Sequence, residues 1–308
     1  METAKIKEYL LKYNTLRRIV QFITFIVLGA VFLNMGVIPL LLPILWTWGL
    51  SQNMVGDAFT AVQFGFYNAV FPWLAVASFL IVGILLGKAM CSWICPFGLV
   101  QDLLTYIRRK KSDFSPRTHG SLIYIKYFIL GLTLFIGVTF SATKIMGIST
   151  TYEKAMGIFA KAPFTTLSPG ETLFASLPGM IKGFRFAVAE TSLNDAIAGF
   201  TTLPALFLVQ FGMMVAILVF ATYIERGWCK YFCPHGAIMA LLNKFSFLGL
   251  RRDPVKCAKS GCRSCVEACP MHVPILNEKW EKFSHPECIY CLKCVDACKD
   301  KAIKLKYP

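Results

Sequence analysis

Lys88-Ala89-Met90-Cys91-Ser92-Trp93-Ile94-Cys95-Pro96-Phe97-Gly98 is matched later in the chain by Arg226-Gly227-Trp228-Cys229-Lys230-Tyr231-Phe232-Cys233-Pro234-His235-Gly236. Both stretches read cation-x-x-Cys-x-x-x-Cys-Pro-x-Gly, and each follows a long apolar run. The proline suits the first turn of a helix, where its missing N–H is no loss. The glycine permits close backbone approach. The two pairs supply four thiolates, enough for one [4Fe-4S] cubane. Lys88 and Arg226 occupy equivalent positions, where they would offset the negative charge of such a cluster and also serve as ordinary membrane-flanking cations.

Working outward, the chain of 308 residues is 56% hydrophobic and only 16% charged, against about 25% in a soluble domain. That composition predicts a polytopic membrane protein. Apolar runs predict four spans at about 19–42, 70–86, 122–140 and 204–223, since about 20 helical residues cross a hydrocarbon core. Pro39 and Pro43 are expected to end or kink the first. Residues 49–68 carry one charge, Asp57, and read as an interfacial segment. Residues 141–203 read as an external connection with helices lying on the membrane surface.

Charge sets the orientation. Lys5, Lys7, Lys12, Arg17 and Arg18 precede the first span, and Lys88, Arg108, Arg109, Lys110, Lys111 and Arg117 lie between the second and third. Basic connections face the cytoplasm, so both termini and all 12 cysteines are expected on the cytoplasmic side of a prokaryotic inner membrane. Thiols stay reduced there.

The tail carries the densest cysteine pattern. Cys257-x4-Cys262-x2-Cys265-x3-Cys269-Pro270 is followed by Cys288-x2-Cys291-x2-Cys294-x3-Cys298. The second group has the two-cluster bacterial ferredoxin rhythm, in which the fourth cysteine of each group serves the other cluster. The expected ligands are therefore Cys257, Cys262, Cys265 and Cys298 for one [4Fe-4S] cluster, and Cys288, Cys291, Cys294 and Cys269 for a second. Cys91, Cys95, Cys229 and Cys233 would hold a third at the membrane. Zinc competes as a metal for paired cysteines, but two consecutive four-cysteine groups, the second with a 2-2-3 rhythm and the first departing from it by two additional residues after Cys257, favour iron–sulfur. A dithiol relay competes for the membrane pairs, although such relays use Cys-x-x-Cys.

The expected fold is a membrane all-α bundle of four transmembrane helices over residues 1–249. A small cytoplasmic α+β two-cluster bacterial-type ferredoxin domain over residues 250–308 follows. With its Cys-x3-Cys-Pro pairs after membrane helices and its eight tail cysteines, the chain resembles the NapH-like membrane polyferredoxins. It is also similar to the membrane portions of NosR and CcoG. That resemblance implies quinol-linked electron transfer, as the redox subunit of a quinol dehydrogenase complex with further protein subunits.

The four histidines, His119, His235, His272 and His285, lie outside the expected spans, so no bis-histidine haem is expected. His235, beside the membrane cysteines, is a candidate acceptor of a quinol proton, and Glu225 is a second proton-handling candidate. His272 and His285 read as surface residues. Lys126 and Glu225 are near enough to span ends to snorkel. Trp93, Trp228 and Tyr231 read as interface anchors or as walls of a quinone pocket. The basic tail carries no nucleic-acid-binding motif. Anionic lipid or an acidic redox partner is the expected contact. The sequence leaves three functions open. They are a membrane iron–sulfur subunit linked to the quinone pool, an assembly reductase passing cytoplasmic electrons to a metal centre, and a quinone-free conduit between two proteins.

Overall fold

Among the described residues, runs of Leu, Ile, Val and Phe with few charges make three helices long and apolar enough to cross a membrane, Trp73–Trp93, Arg117–Ile145 and Leu206–Tyr223. The computed structural model describes residues 12–29, 40–45, 55–105, 107, 114–177, 205–257 and 262–307. The described α-helices of four residues or more are α1 (Tyr13–Gly29), α2 (Ala58–Tyr67), α3 (Trp73–Leu86), α4 (Met90–Trp93), α5 (Pro96–Leu104), α6 (Pro116–Ile145) and α7 (Ser149–Met156). They continue with α8 (Pro163–Leu167), α9 (Ala205–Tyr223), α10 (Gly227–Tyr231), α11 (Pro234–Asn243), α12 (Ser264–Glu267) and α13 (Lys293–Asp296). Ile81, Phe128, Phe135 and Val209 point outward and are exposed, as side chains facing hydrocarbon would be.

The second, third and fourth expected spans fall on these three helices. The first does not survive as one helix. Helix α1 covers Tyr13–Gly29, whereas Leu40–Leu42 is extended (β1) and pairs in parallel with Val55–Asp57 (β2). Pro43, which follows β1, offers no amide to continue a helix, and the Leu41 carbonyl instead accepts the Ser78 hydroxyl at 2.6 Å. Helix α6 begins at Pro116, earlier than expected, with the Ser115 hydroxyl accepting the Thr118 amide. His119 therefore lies in a long helix, in its first turn. Lys5, Lys7, Asn34, Trp46, Trp48 and Arg108–Lys111 lie outside the described residues.

The segment expected at the interface is internal from Asp57 onward. Ala58, Phe59, Thr60, Val62 and Gln63 of α2 are buried. Asp57 caps the helix by accepting the Phe59 and Thr60 amides at 2.7 and 3.2 Å. Gln63 closes the packing from the other end of the chain, its Oε1 accepting the Phe164 amide at 2.9 Å and its Nε2 donating to Thr165. A buried polar helix face is stable only with such partners.

Two devices end the apolar helices at the cysteine motifs. Gly87 has φ of +55°, and a Cβ there would lie 2.0 Å from Asn243 Oδ1. Arg226, with φ of +53°, is left-handed at the matching bend. In the tail, β3 (Gly249–Arg252) pairs antiparallel with β4 (Ile303–Lys306). The tail's apolar core includes Leu250, Val273, Phe283 and Ile303 and continues without a break into Ala89 and Cys91.

Candidate iron–sulfur sites

Cys91, Cys95, Cys229 and Cys233 line one cavity of about 300 Å³. All four are buried. The local folding follows the motif residue by residue. Cys91 and Cys229 sit on the short helices α4 and α10. Cys95 and Cys233 are the N-cap residues of α5 and α11, each followed by proline at the first helical position. Gly98 and Gly236 let each helix fold back on its own motif. A Cβ would lie 2.8 Å from the Cys91 carbonyl in the first copy and 3.2 Å from the Cys229 carbonyl in the second.

The electrostatics call for a bound cation. Burial pushes the Cys95 thiol up to about 12, and Cys229 and Cys91 add to the rise. Cys233 is raised for the same reasons. The Gly98 and Gly236 amides offset part of this from the helix N-termini. Four crowded, dry thiols do not become thiolates together without a strong positive centre among them. Iron in a cubane is such a centre, and the four donors with their apolar walls fit it. Gln101 Nε2 also donates to Cys229 Sγ at 3.2 Å.

Outside the cavity, each motif's cation reaches across to the other motif. Arg226 stands 3.5 Å from where a Gly98 Cβ would be, and Lys88 Cε stands 3.8 Å from the same point at Gly236. Each belongs to a buried triad. Asp102 accepts Arg226 in a fork, at 2.9 and 2.6 Å, and Arg17 at 2.8 Å. Glu287 accepts Lys88 at 2.7 Å and Lys126 at 2.5 Å. At Asp102 two guanidiniums about one carboxylate leave a net positive charge beside the thiols, and at Glu287 two lysines share one carboxylate. Burial would raise Asp102, but Arg226 and Arg17 hold it far below the usual carboxylate range. Burial likewise opposes ionisation of Glu287, and Lys88 and Lys126 overcome it, holding its carboxyl at about 2. Lys126 therefore does not snorkel. It is fully buried because its ammonium is held by a carboxylate from the tail.

His235 lines the four-cysteine cavity. It is buried, with Nε2 2.5 Å from Asp57 Oδ1 and Nδ1 3.8 Å from Cys233 Sγ. Glu225 does not line that cavity and is paired with Lys293 of α13. Trp93 is no lipid anchor, for its indole N–H donates to the Tyr290 carbonyl of the tail at 2.9 Å. Tyr231 is buried, its hydroxyl 2.8 Å from His119 Nδ1. His285 is half-buried, its Nδ1 accepting the Glu287 amide and its carbonyl accepting Asn243 Nδ2. His272 is exposed as expected, at φ of +52°.

In the tail, Cys269, Cys288, Cys291 and Cys294 line one cavity of about 350 Å³. Burial raises Cys265, and Cys298, Cys257 and Cys262 are near enough to raise it further. Cys269 of the first motif thus shares a cavity with three cysteines of the second. The halves repeat each other locally. The Val273 amide donates to Cys269 Sγ at 3.4 Å and the Ala302 amide to Cys298 Sγ at 3.3 Å, while His272 and Lys301 both have positive φ. The matching runs Cys265-Val266-Glu267-Ala268-Cys269 and Cys294-Val295-Asp296-Ala297-Cys298 are the sequence trace of that repeat. Arg17, Asp57, Gln101, Asp102, Asn243 and Glu287 were not legible as site residues. Asp102 and Gln101 carried one signal, as polar side chains in an apolar stretch just past Gly98.

Residues 69–115 and 197–252 match the 4Fe-4S binding domain family, and residues 249–299 match the 4Fe-4S dicluster domain family. Among curated proteins, the chain is 24% identical over 229 residues to the putative electron transport protein YccM of Escherichia coli, covering 73% of this chain and 52% of that one. It is 26% identical to the methylamine utilization ferredoxin-type protein MauN of Methylobacillus flagellatus, covering 81% of this chain and 74% of that one. It is also 26% identical to the ferredoxin-type protein NapH of E. coli, covering 70% and 61% respectively. The chain is similar to the NapH-like 4Fe-4S membrane polyferredoxins over most of its length. It spans about half the length of YccM. No solved structure matches it.

Proposed function

We propose that this iron–sulfur electron-transfer protein links the quinone pool to a redox partner, as a subunit of a larger membrane complex. The observation that carries the reading is the convergence of Cys91, Cys95, Cys229 and Cys233, from two distant motifs, on one dry cavity at the ends of apolar helices. In this reading those four hold a membrane [4Fe-4S] cluster. Cys269, Cys288, Cys291 and Cys294 hold a second, and Cys257, Cys262, Cys265 and Cys298 a third. The clusters supply one-electron storage at potentials set by charge, hydrogen bonds and burial. The chain supplies fixed distances, dryness and the positive triad at Asp102, which favours the reduced, more negative state.

Quinol access is the second element. An apolar groove of about 1170 Å³ runs between α6, α8 and α9, past Ile129, Ile136, Phe164 and Ile217 to Trp228. Trp228 walls both this groove and the four-cysteine cavity. A lipophilic quinol seated in the groove would be separated from the cysteines by one indole. Among the described residues, His235, braced by Asp57, is the one non-cysteine titratable side chain lining the cavity; it does not line the groove, so we assign it a quinol proton passed on by relay. Four spans with both termini cytoplasmic, in a prokaryotic inner membrane, complete the reading.

The test is anaerobic reduction of the purified protein by a short-chain quinol, followed by electron paramagnetic resonance. Reduction of all clusters, slowed at least about tenfold by filling the groove with Ile217→Trp, is the expected result. Clusters that stay oxidised under a quinol of sufficient potential, yet accept electrons from dithionite, would overturn the quinone link.

A further inference from the structure

The inner tail cavity is walled by Leu250, Val273 and Phe283, whereas the Cys257/Cys262/Cys265/Cys298 group lies toward solvent, with Cys262 exposed. Over Cys298 lies a groove of about 1420 Å³. Its rim carries Lys12, Lys299, Lys301 and Lys304, all exposed. Its floor includes Tyr13 and Leu305, 41% and 43% exposed. Among the described residues the one acid lining it is Asp296, whose two carboxylate oxygens are turned to the Tyr13 and Asn14 amides at 3.1 and 2.8 Å. Asp300 sits between two of the lysines in sequence but does not line the groove.

We propose that this lysine-rimmed groove is the docking surface for a small acidic electron-carrier protein. An apolar floor with a charged rim is the anatomy of a protein contact. Lysines around it steer an acidic partner and speed encounter. Redox partners commonly meet in brief complexes of small contact area. The groove also brings the partner's surface against Cys298, a proposed cluster ligand whose Sγ already accepts the Ala302 amide. A lipid headgroup would draw on the lysines alone and leave both the apolar floor and the cysteine without a role. In the transfer, a single electron leaves the protein on the Cys298 side and the carrier's cofactor gains it. One partner is oxidised and the other reduced by the same electron.

The test mixes full-length dithionite-reduced protein with oxidised flavodoxin, an acidic flavin carrier, in a stopped-flow instrument. The second-order rate should fall at least about tenfold between low and high salt, as steered encounters do. At low salt it should fall at least about tenfold in Lys299→Glu/Lys301→Glu/Lys304→Glu, and little in the control Lys244→Glu/Lys279→Glu. The magnetic resonance signals of the tail clusters in each variant report separately on the Cys298 assignment, and no quinol enters the experiment. A triple variant that reduces flavodoxin at the wild-type rate overturns the proposal. So does a wild-type protein that fails to reduce flavodoxin at low salt. If the triple variant keeps its rate but loses binding to phosphatidylglycerol vesicles, the lysines hold membrane and the proposal falls.

Discussion

Arg226 donates through Nη1 to the carbonyl oxygen of Cys91, 2.7 Å away and 135 positions earlier in the chain. Its remaining donors grip Asp102, which stands in the helix after the first cysteine pair. The second motif's cation therefore holds the first motif's backbone, and the two halves of the cavity cannot drift apart while Arg226 keeps its fork. Arg226 also lies near both Cys229 and Cys291, between the membrane cysteines and the tail.

Replacing Asp102 by Asn leaves Arg17 and Arg226 buried without their shared counter-charge. Breaking a buried pair in this way destabilises by about 3–5 kcal/mol. Thermal unfolding followed by circular dichroism should show that loss, and the membrane cluster should go before the tail clusters. Arg226→Lys keeps the charge but not the bidentate geometry, so it should fall between Asp102→Asn and wild type.

A methyl at Gly98 would meet the Cys91 carbonyl at 2.8 Å, whereas one at Gly131, inside α6, meets nothing within 4 Å. Gly98→Ala should therefore destabilise by about 1–3 kcal/mol through overpacking and lower the occupancy of the four-cysteine cavity. Gly131→Ala should leave both stability and iron content unchanged. Equal behaviour of the two variants would remove the close-approach explanation of the motif glycine.

The Cys91→Ser/Cys229→Ser double variant takes two ligands from the membrane set and none from the tail. With three four-iron clusters, iron should fall from about twelve to about eight per chain. The tail signals should persist. An unchanged iron count would show that these thiols hold no cluster.

Glu287 ties the tail to α6 and to the first motif through Lys126 and Lys88. Its carboxyl is held at about 2, below the ordinary 4.5. A depressed carboxylate contributes stability above its unfolded value and loses it as pH falls toward its folded one. The stability gap between wild type and Glu287→Gln should thus be full at pH 7, begin to shrink near 4.5 and largely vanish near 2. Hydrogen exchange at Tyr290 and its neighbours, compared between the two proteins, measures it at the docking face.

The cysteine motifs were legible because their spacing is local, and the convergence of Cys91, Cys95, Cys229 and Cys233 on one cavity follows two copies of one motif. The triads were not, since Asp102 meets Arg226 and Glu287 meets Lys126 only after distant segments pack. Hydropathy also failed at Leu40–Leu42. An apolar run has the same composition whether helical or extended, and the pairing of Leu41 with Gly56 has no local signature. Asp57 looked like an interfacial charge because its partner, His235, lies 178 positions away.

The Tyr13 and Asn14 amides open α1, and a helix's first amides have no partner within the helix. Here both are satisfied by Asp296, two residues before Cys298. A helix opening at Tyr13 is therefore capped by a side chain 283 positions further along the chain. A tail that does not fold leaves the start of that helix without its cap.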